Sequence, residues 1–208
     1  MPVHLFPLGV PPAKRLMDLL LTIPGLVLVS PILGLSALAI RLKEGGPVLF
    51  AQPRPGLNGE IFKLYKFRTM HDLRDTDGLQ LPDSERISRL GSFLRHTSLD
   101  ELPELINVAR GEMSLVGPRP LLVKYLPIYS SEQMRRHLAL PGMTGWAQIN
   151  GRNTLSWQEK FRLDVWYVDH WSAWLDVKIL VLTIWKVLKR EGINEPGQAT
   201  TQEFTGNN

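Results

Sequence analysis

The sequence predicts a mostly helical α/β protein whose N-terminal segment enters a membrane. Three observations carry that expectation. An apolar run from Leu16 to Ile40 is bounded by Lys14-Arg15 on one side and by Arg41 and Lys43 on the other. Two short β-prone runs, Val48-Leu49-Phe50 and Ile61-Phe62-Lys63-Leu64-Tyr65, flank Arg54-Pro55-Gly56-Leu57-Asn58-Gly59, and Asn-Gly between such runs is a strong hairpin signal. Much of the remainder has helical character, as where Ser156 precedes an amphipathic stretch with Glu159 in the capping-box place.

A chain of 208 residues suits one compact domain with appendages. The sequence divides into an N-terminal segment with its membrane helix (1–43), a main domain (44–193) and a polar, flexible tail (194–208). The chain has no cysteine, which excludes disulfides, thiolate metal sites and thiol nucleophiles. Its net charge of +4 fits a phosphate-bearing partner or an anionic membrane surface. No repeat, Cys/His pattern or aromatic-basic array marks a nucleic-acid binder.

The apolar run lacks a signal-peptide cleavage site and exceeds a signal peptide's apolar core. About 20 apolar residues suffice to span a bilayer, so a transmembrane helix is the first reading. Asp18, Pro24-Gly25 and Ser30-Pro31 count against a straight span. A break at Pro31 leaves arms of roughly 22 and 13 Å, each shorter than a ~30 Å hydrocarbon core. Such a hairpin enters and leaves on one face, and basic residues at both ends permit that. The residues alone leave hairpin and span both open.

After the β-hairpin, His71 to Asp83 reads as a surface loop, and its aspartates lack calcium-loop spacing. Ser84 to Arg95 reads as a short basic helix. A motif helix follows from Ser98 to Ala109, with Gly111 at its C-terminal end. Leu121 to His137 reads as helical, with an interruption at Pro127. Trp166, Trp171, Trp174, Trp185 and Tyr167 crowd the last quarter, around helices ending at Tyr167 and Arg190. These can form core or lie at the headgroup level as interfacial amphipathic helices.

The chemistry concentrates in Arg95-His96-Thr97-Ser98-Leu99-Asp100-Glu101-Leu102-Pro103 and in Gly117-Pro118-Arg119-Pro120. A carboxylate can attack phosphorus, carboxylates can hold Mg²⁺, and arginines clamp phosphate oxygens. The plainer reading is a capping box, Ser98-x-x-Glu101, in which both acids do no more than start a helix. A helix start would also favour an ionised, nucleophilic Asp100. Two prolines hold the backbone on either side of Arg119, which presents its fork with little freedom. By themselves Lys66 and Arg68 read as a solvated basic strand end. His96 reads as a packing or capping residue. Arg152 and Asn153, after the glycines of Pro141-Gly142-Met143-Thr144-Gly145-Trp146, offer donors to a nucleotide diphosphate.

Four blocks stand in one fixed order: Lys66-Phe67-Arg68-Thr69-Met70, Thr97-Ser98-Leu99-Asp100-Glu101-Leu102-Pro103, Gly117-Pro118-Arg119-Pro120 and Pro141-Gly142-Met143-Thr144-Gly145-Trp146. So arranged, from Lys14 to Ile193, the chain resembles the bacterial sugar transferases, specifically the small monotopic phosphoglycosyl transferases. The resemblance implies a re-entrant helix bent at Ser30-Pro31 on the cytoplasmic face of the bacterial inner membrane. It implies transfer of a sugar phosphate from a UDP-sugar to a polyprenyl (undecaprenyl) phosphate, with release of UMP. Asp100 would be the nucleophile and, with Mg²⁺, a metal ligand, while Glu101 would assist as metal neighbour or base. Lys66, Arg95, Arg119 and Arg152 would bind substrate, Lys66 by phosphate contact, whereas the resemblance implies structural pairing for Arg68. The rival readings are a non-catalytic membrane scaffold and a Mg²⁺-dependent phosphohydrolase.

Overall fold

The computed structural model describes residues 5–151, 155–189 and 203–206. One helix, α1 (Pro12–Glu44), takes up the whole apolar run, and its helical assignment passes through Pro24 and Pro31. The break expected at Ser30-Pro31 therefore does not divide it into two helices. Pro31 has no amide to donate to the Val27 carbonyl four residues earlier. The Ser30 hydroxyl donates to that carbonyl instead, at 2.8 Å, which lets helical backbone continue through the proline.

Both ends of α1 pack on one body. Near its start, Lys14 is buried and reaches the Val116 carbonyl at 2.8 Å and Asp176 at 2.7 Å. Arg15 donates to the carbonyls of Val108 and Ala109, and Asp18 accepts from Ser114 Oγ at 2.9 Å and from the Leu115 amide at 3.0 Å. Asp18 is thus answered by protein rather than facing lipid. Near the other end, Ile40 is fully buried with Phe67 and Leu94. Arg68 donates to the carbonyls of Glu44, Gly45 and Gly46 just past the helix, the structural pairing the resemblance implied. Between these ends the apolar side chains are bare: Val27 is 71 %, Leu28 80 % and Leu35 68 % exposed.

Strands β1 (Leu49–Pro55) and β2 (Ile61–Phe67) form the expected antiparallel hairpin, with Leu49 opposite Phe67 and Pro55 opposite Ile61. Asn58 at the turn adopts φ 53°, the left-handed conformation that asparagine tolerates. The basic helix read over 84–95 is two helices, α2 (Asp83–Arg86) and α3 (Arg89–His96), because Ser88 turns out of helical geometry and caps the second through the Gly91 amide at 2.7 Å.

The motif helix differs from its expectation. Ser98 sits at φ 55° and makes no side-chain cap, so the capping box does not form. A 3₁₀ turn over Leu99–Glu101 leads instead into α4 (Glu104–Arg110), which ends at Gly111 with φ 84°. Strands β3 (Ser114–Val116) and β4 (Gly142–Thr144) then pair in parallel, joined by 3₁₀ turns and the short helix α5 (Ser131–Met134) rather than by one long helix. A Cβ on Gly142 would lie 2.0 Å from the Gly117 amide nitrogen, and one on Gly145 would lie 2.1 Å from the Gly117 carbonyl. These motif glycines let two chain segments touch, rather than opening backbone toward a ligand.

Helices α6 (Trp146–Asn150), α7 (Trp157–Asp169) and α8 (Ala173–Lys189) complete the body, and the Ser156–Glu159 capping box forms on α7. Tyr167 and Ile179 are buried with Val116, whereas Trp174 is 76 % and Trp185 55 % exposed. The late aromatics thus divide between core and surface. The tail expectation falls mostly outside the described residues, but not entirely. Phe204 is buried against Tyr125 and Phe161, so residues 203–206 form part of the folded body.

Candidate active site

Four local structures converge. Lys66 comes from the end of β2, Asp100 and Glu101 from the 3₁₀ turn, Glu104 from the first turn of α4, and Arg119 from the segment leaving β3. Asn107 fixes the first of these against the third. Fully buried on α4, it donates to the Lys63 carbonyl and to Glu112, both at 2.7 Å, and accepts from the Tyr65 amide at 3.0 Å. The two bonds to Lys63 and Tyr65 hold α4 in register with the strand that delivers Lys66.

Lys66 Nζ lies 2.7 Å from Glu101 Oε1 and 3.1 Å from Glu104 Oε1. Arg119 Nη2 bonds the same Glu101 oxygen. Burial pushes the Glu101 carboxyl up, but Arg119 and Lys66 outweigh it and hold the group well below the usual carboxylate range. That makes Glu101 a fixed counter-ion with little proton affinity, which argues against its use as a base near neutral pH. Arg119, opposite Glu101, is pushed above its ordinary range.

Asp100 is arranged differently. Among the described residues it has no hydrogen bond or ion pair. Burial, then the charge of Glu101, push its pKa up to about 6, against the pull of Lys66, Arg95 and Arg119. The ionising effect expected from a helix start is overturned, because α4 begins only at Glu104 and the largest charge effect on Asp100 is the repulsion of Glu101. Asp100 is still a carboxylate at neutral pH, and an uncommitted one.

Arg95 stands at the end of α3, with its Nε donating to Thr69 Oγ1 at 3.0 Å, and its charge reaches Asp100. His96 is turned back on its own helix, at 2.7 Å from the Ser92 carbonyl. Arg152 and Asn153 lie outside the described residues. Two members of the cluster were missed in sequence reading. Glu104 is buried, and desolvation together with Glu101 raises its pKa to about 7. Arg54, from β1, feels both Arg119 and Glu104; its Nε is buried without a partner among the described residues, and its Nη2 donates to Gln52 at 2.6 Å. Glu104 directly follows the block that ends at Pro103 and could have been marked there, whereas nothing local singles out Arg54.

The cluster sets Lys66, Arg54, Arg95 and Arg119 against Asp100, Glu101 and Glu104. Arg119 retains a 43 % exposed side chain beside a 24 % exposed Glu101, so its guanidinium stays accessible from solvent while it holds Glu101. A carboxylate among guanidinium groups is chemically suited to a polyanionic phosphorus centre.

The sequence model for bacterial sugar transferases matches residues 10–190. The chain belongs to the bacterial sugar transferase family. It is 56 % identical over 193 residues to the uncharacterized sugar transferase EpsL of Bacillus subtilis (strain 168), covering 93 % of this chain and 96 % of that protein. It is 44 % identical over 185 residues to the UDP-glucose:undecaprenyl-phosphate glucose-1-phosphate transferase of Escherichia coli (strain K12), covering 83 % of this chain and 39 % of that protein. It is 43 % identical over 194 residues to the galactosyl transferase CpsE of Streptococcus agalactiae serotype III (strain NEM316), covering 86 % of this chain and 43 % of that protein. The bacterial sugar transferase chain described here thus spans nearly all of EpsL and less than half of the other two. All four sequence blocks fall inside the matched region, and the first three supply Lys66, Asp100, Glu101 and Arg119 to the cluster.

Proposed function

We propose that this sugar transferase moves a sugar phosphate from a UDP-sugar to a polyprenyl phosphate, such as undecaprenyl phosphate, through a covalent intermediate on Asp100. The observation that carries the reading is the contrast between the two adjacent acids. Glu101 is held by two cations, while Asp100 is half-buried, has no hydrogen bond or ion pair among the described residues, and lies within the field of Lys66, Arg95 and Arg119. The names of the Escherichia coli and Streptococcus agalactiae relatives support the substrate class, and their different sugars leave this chain's sugar to be found by assay.

In the first half-reaction an Asp100 oxygen attacks the phosphorus next to the sugar. The bond from that phosphorus to the bridging oxygen breaks, and UMP departs with the electron pair. In the second, an oxygen of the lipid phosphate attacks the same phosphorus and the Asp100 carboxylate leaves. Both nucleophiles are anions, so neither step needs a strong base, in keeping with the low basicity of Glu101. Arg119, Arg95 and Arg54 would neutralise charge on the phosphoryl oxygens, and Lys66 would hold Glu101 in place.

Among the described residues no group of three or more His, Asp or Glu side chains could hold a metal ion. Mg²⁺ commonly takes only one or two protein carboxylates together with substrate phosphates, and Asp100, without a partner among the described residues, fits that arrangement. When bound, Mg²⁺ would supply charge neutralisation on the diphosphate.

The same reading gives α1 its place. It is one helix long and apolar enough to cross a membrane, yet both its ends pack on one catalytic body while its middle is bare. A kink within the helix near Pro31, with the bare middle in lipid and both ends on the cytoplasmic face, accounts for these contacts. Trp174 and Trp185 on α8 would then lie at the headgroup level.

The test is UMP release over a panel of UDP-sugars, with and without undecaprenyl phosphate, combined with mass spectrometry of the trapped enzyme. Lipid-dependent turnover and a phosphosugar adduct on Asp100 are expected. Turnover to free sugar phosphate without lipid would make the chain a hydrolase, and failure to exchange labelled UMP into any UDP-sugar would end the covalent mechanism.

A further inference from the structure

We propose that the C-terminal segment Glu203–Gly206 is an anchor for the clamp segment, with Phe204 as a positioning residue for Arg119. The inference rests on the reading of Arg119 as a phosphate clamp. Its basis is the burial of Phe204 in an aromatic socket built from two distant parts of the chain. The Phe204 ring lies 4.9 Å from that of Phe161 and 5.7 Å from that of Trp157, both at the start of α7. It also lies 5.7 Å from Tyr125 and 5.9 Å from Tyr129, on the stretch that follows Arg119-Pro120.

Polar contacts fix the same docking. The Phe204 amide donates to the Tyr125 hydroxyl at 3.3 Å, and Glu203 pairs with Lys124 at 2.6 Å. Gly206 brings the chain against Ile128, and its φ of +94° favours glycine there. A short polar tail would pay ordering entropy for no return unless these contacts hold it.

The socket leads to Arg119 by one short path. The Arg136 guanidinium sits 5.8 Å above the Phe161 ring, is bound to Asp164 at 2.6 Å, and donates to the Arg119 carbonyl at 2.7 Å. Arg119 is therefore held from behind by Arg136, whose apolar floor is the ring that Phe204 packs against. Tyr125 and Tyr129, on the same stretch of chain, are held by Phe204 directly. Removing the Phe204 ring loosens both supports and leaves Asp100, Glu101 and Lys66 untouched.

The experiment compares the full chain with Phe204→Ala, Phe204→Leu and a variant lacking residues 203–208. The readouts are amide hydrogen exchange over 121–128 and affinity for UDP, the nucleoside diphosphate common to UDP-sugars. For Phe204→Ala, exchange in that stretch should accelerate and UDP should bind about tenfold more weakly, with Phe204→Leu recovering part of both. Where turnover is measurable, the loss should fall on KM with kcat nearly unchanged. Glu203→Lys should give a weaker form of the same effect, reversed by adding Lys124→Glu, which tests docking without opening the core. Unchanged exchange over 121–128 in all variants overturns the anchor, whatever UDP does. Faster exchange with unchanged UDP affinity overturns its coupling to Arg119. A wild-type chain that fails to bind UDP counts instead against the proposed function, and the exchange arm still decides the anchor.

Discussion

Replacing Asp100 by asparagine should remove activity and make the protein more stable, and the two effects share one cause. A free aspartate titrates near 3.8, whereas Asp100 in the fold titrates at about 6 because burial and Glu101 oppose its charge. At about 1.4 kcal/mol for each tenfold change in an equilibrium constant, keeping Asp100 ionised above its folded pKa costs roughly 3 kcal/mol of folding free energy. The sign follows from proton counting. Between the two pKa values the folded state holds the extra proton, so this residue's contribution falls as pH rises from about 4 and levels off above about 6. Asp100→Asn never ionises and escapes that loss. Denaturation of both proteins in the same detergent should therefore show no difference near pH 4 and an advantage to Asp100→Asn of about 1–3 kcal/mol at pH 8. The same variant should form no phosphosugar adduct, since an amide is a poor nucleophile. An advantage that is absent at pH 8, or equal at both pH values, would refute the argument that burial has raised the Asp100 pKa.

Turnover of the wild-type chain should fall as pH drops through about 6, where Asp100 takes up its proton, and a pH–rate profile of UMP release checks this. Arg119→Lys should lower kcat/KM by roughly 10–100-fold, because one ammonium cannot bond Glu101 and still present a planar fork to phosphate; near-normal kinetics would show that geometry at 119 is unimportant. Asn107→Ala removes a fully buried side chain and leaves the part-buried Lys63 carbonyl and Tyr65 amide without it, which should cost about 1–3 kcal/mol in a denaturation measurement, with a fall in activity as Lys66 loses its register. Single cysteines at Leu8 and Leu42, which are 93 % and 76 % exposed, should be labelled from the same side of sealed vesicles. Labelling from opposite sides would make α1 a membrane span rather than a hairpin.

The sequence by itself determined the elements with strong local signals. Asn58-Gly59 between β-prone runs made the hairpin, Ser156 with Glu159 made the α7 cap, and Gly111 ended α4. Each depends on backbone preferences within a few residues, which a linear reading contains. The four ordered blocks also identified the family, because residue types at fixed spacing survive without knowledge of the fold. Local signals failed where a distant partner was stronger. Ser98 and Glu101 have the letters of a capping box, but Lys66, 35 residues away, and Arg119, 18 away, take the carboxylate and leave the box unformed. Asp18 read as a charge within a membrane helix, yet Ser114, 96 residues later, receives it. Phe204 read as part of a polar tail, and only its burial beside Tyr125, 79 residues earlier, makes it structural. The pKa values that separate Asp100, Glu101 and Glu104 belong to the same class. Three acids within five positions look alike in sequence, and the fold distinguishes them by which are desolvated and which meet a cation. Burial and charge pairing between remote residues exist only once the chain has folded, so only the tertiary structure decides which acid is free to react.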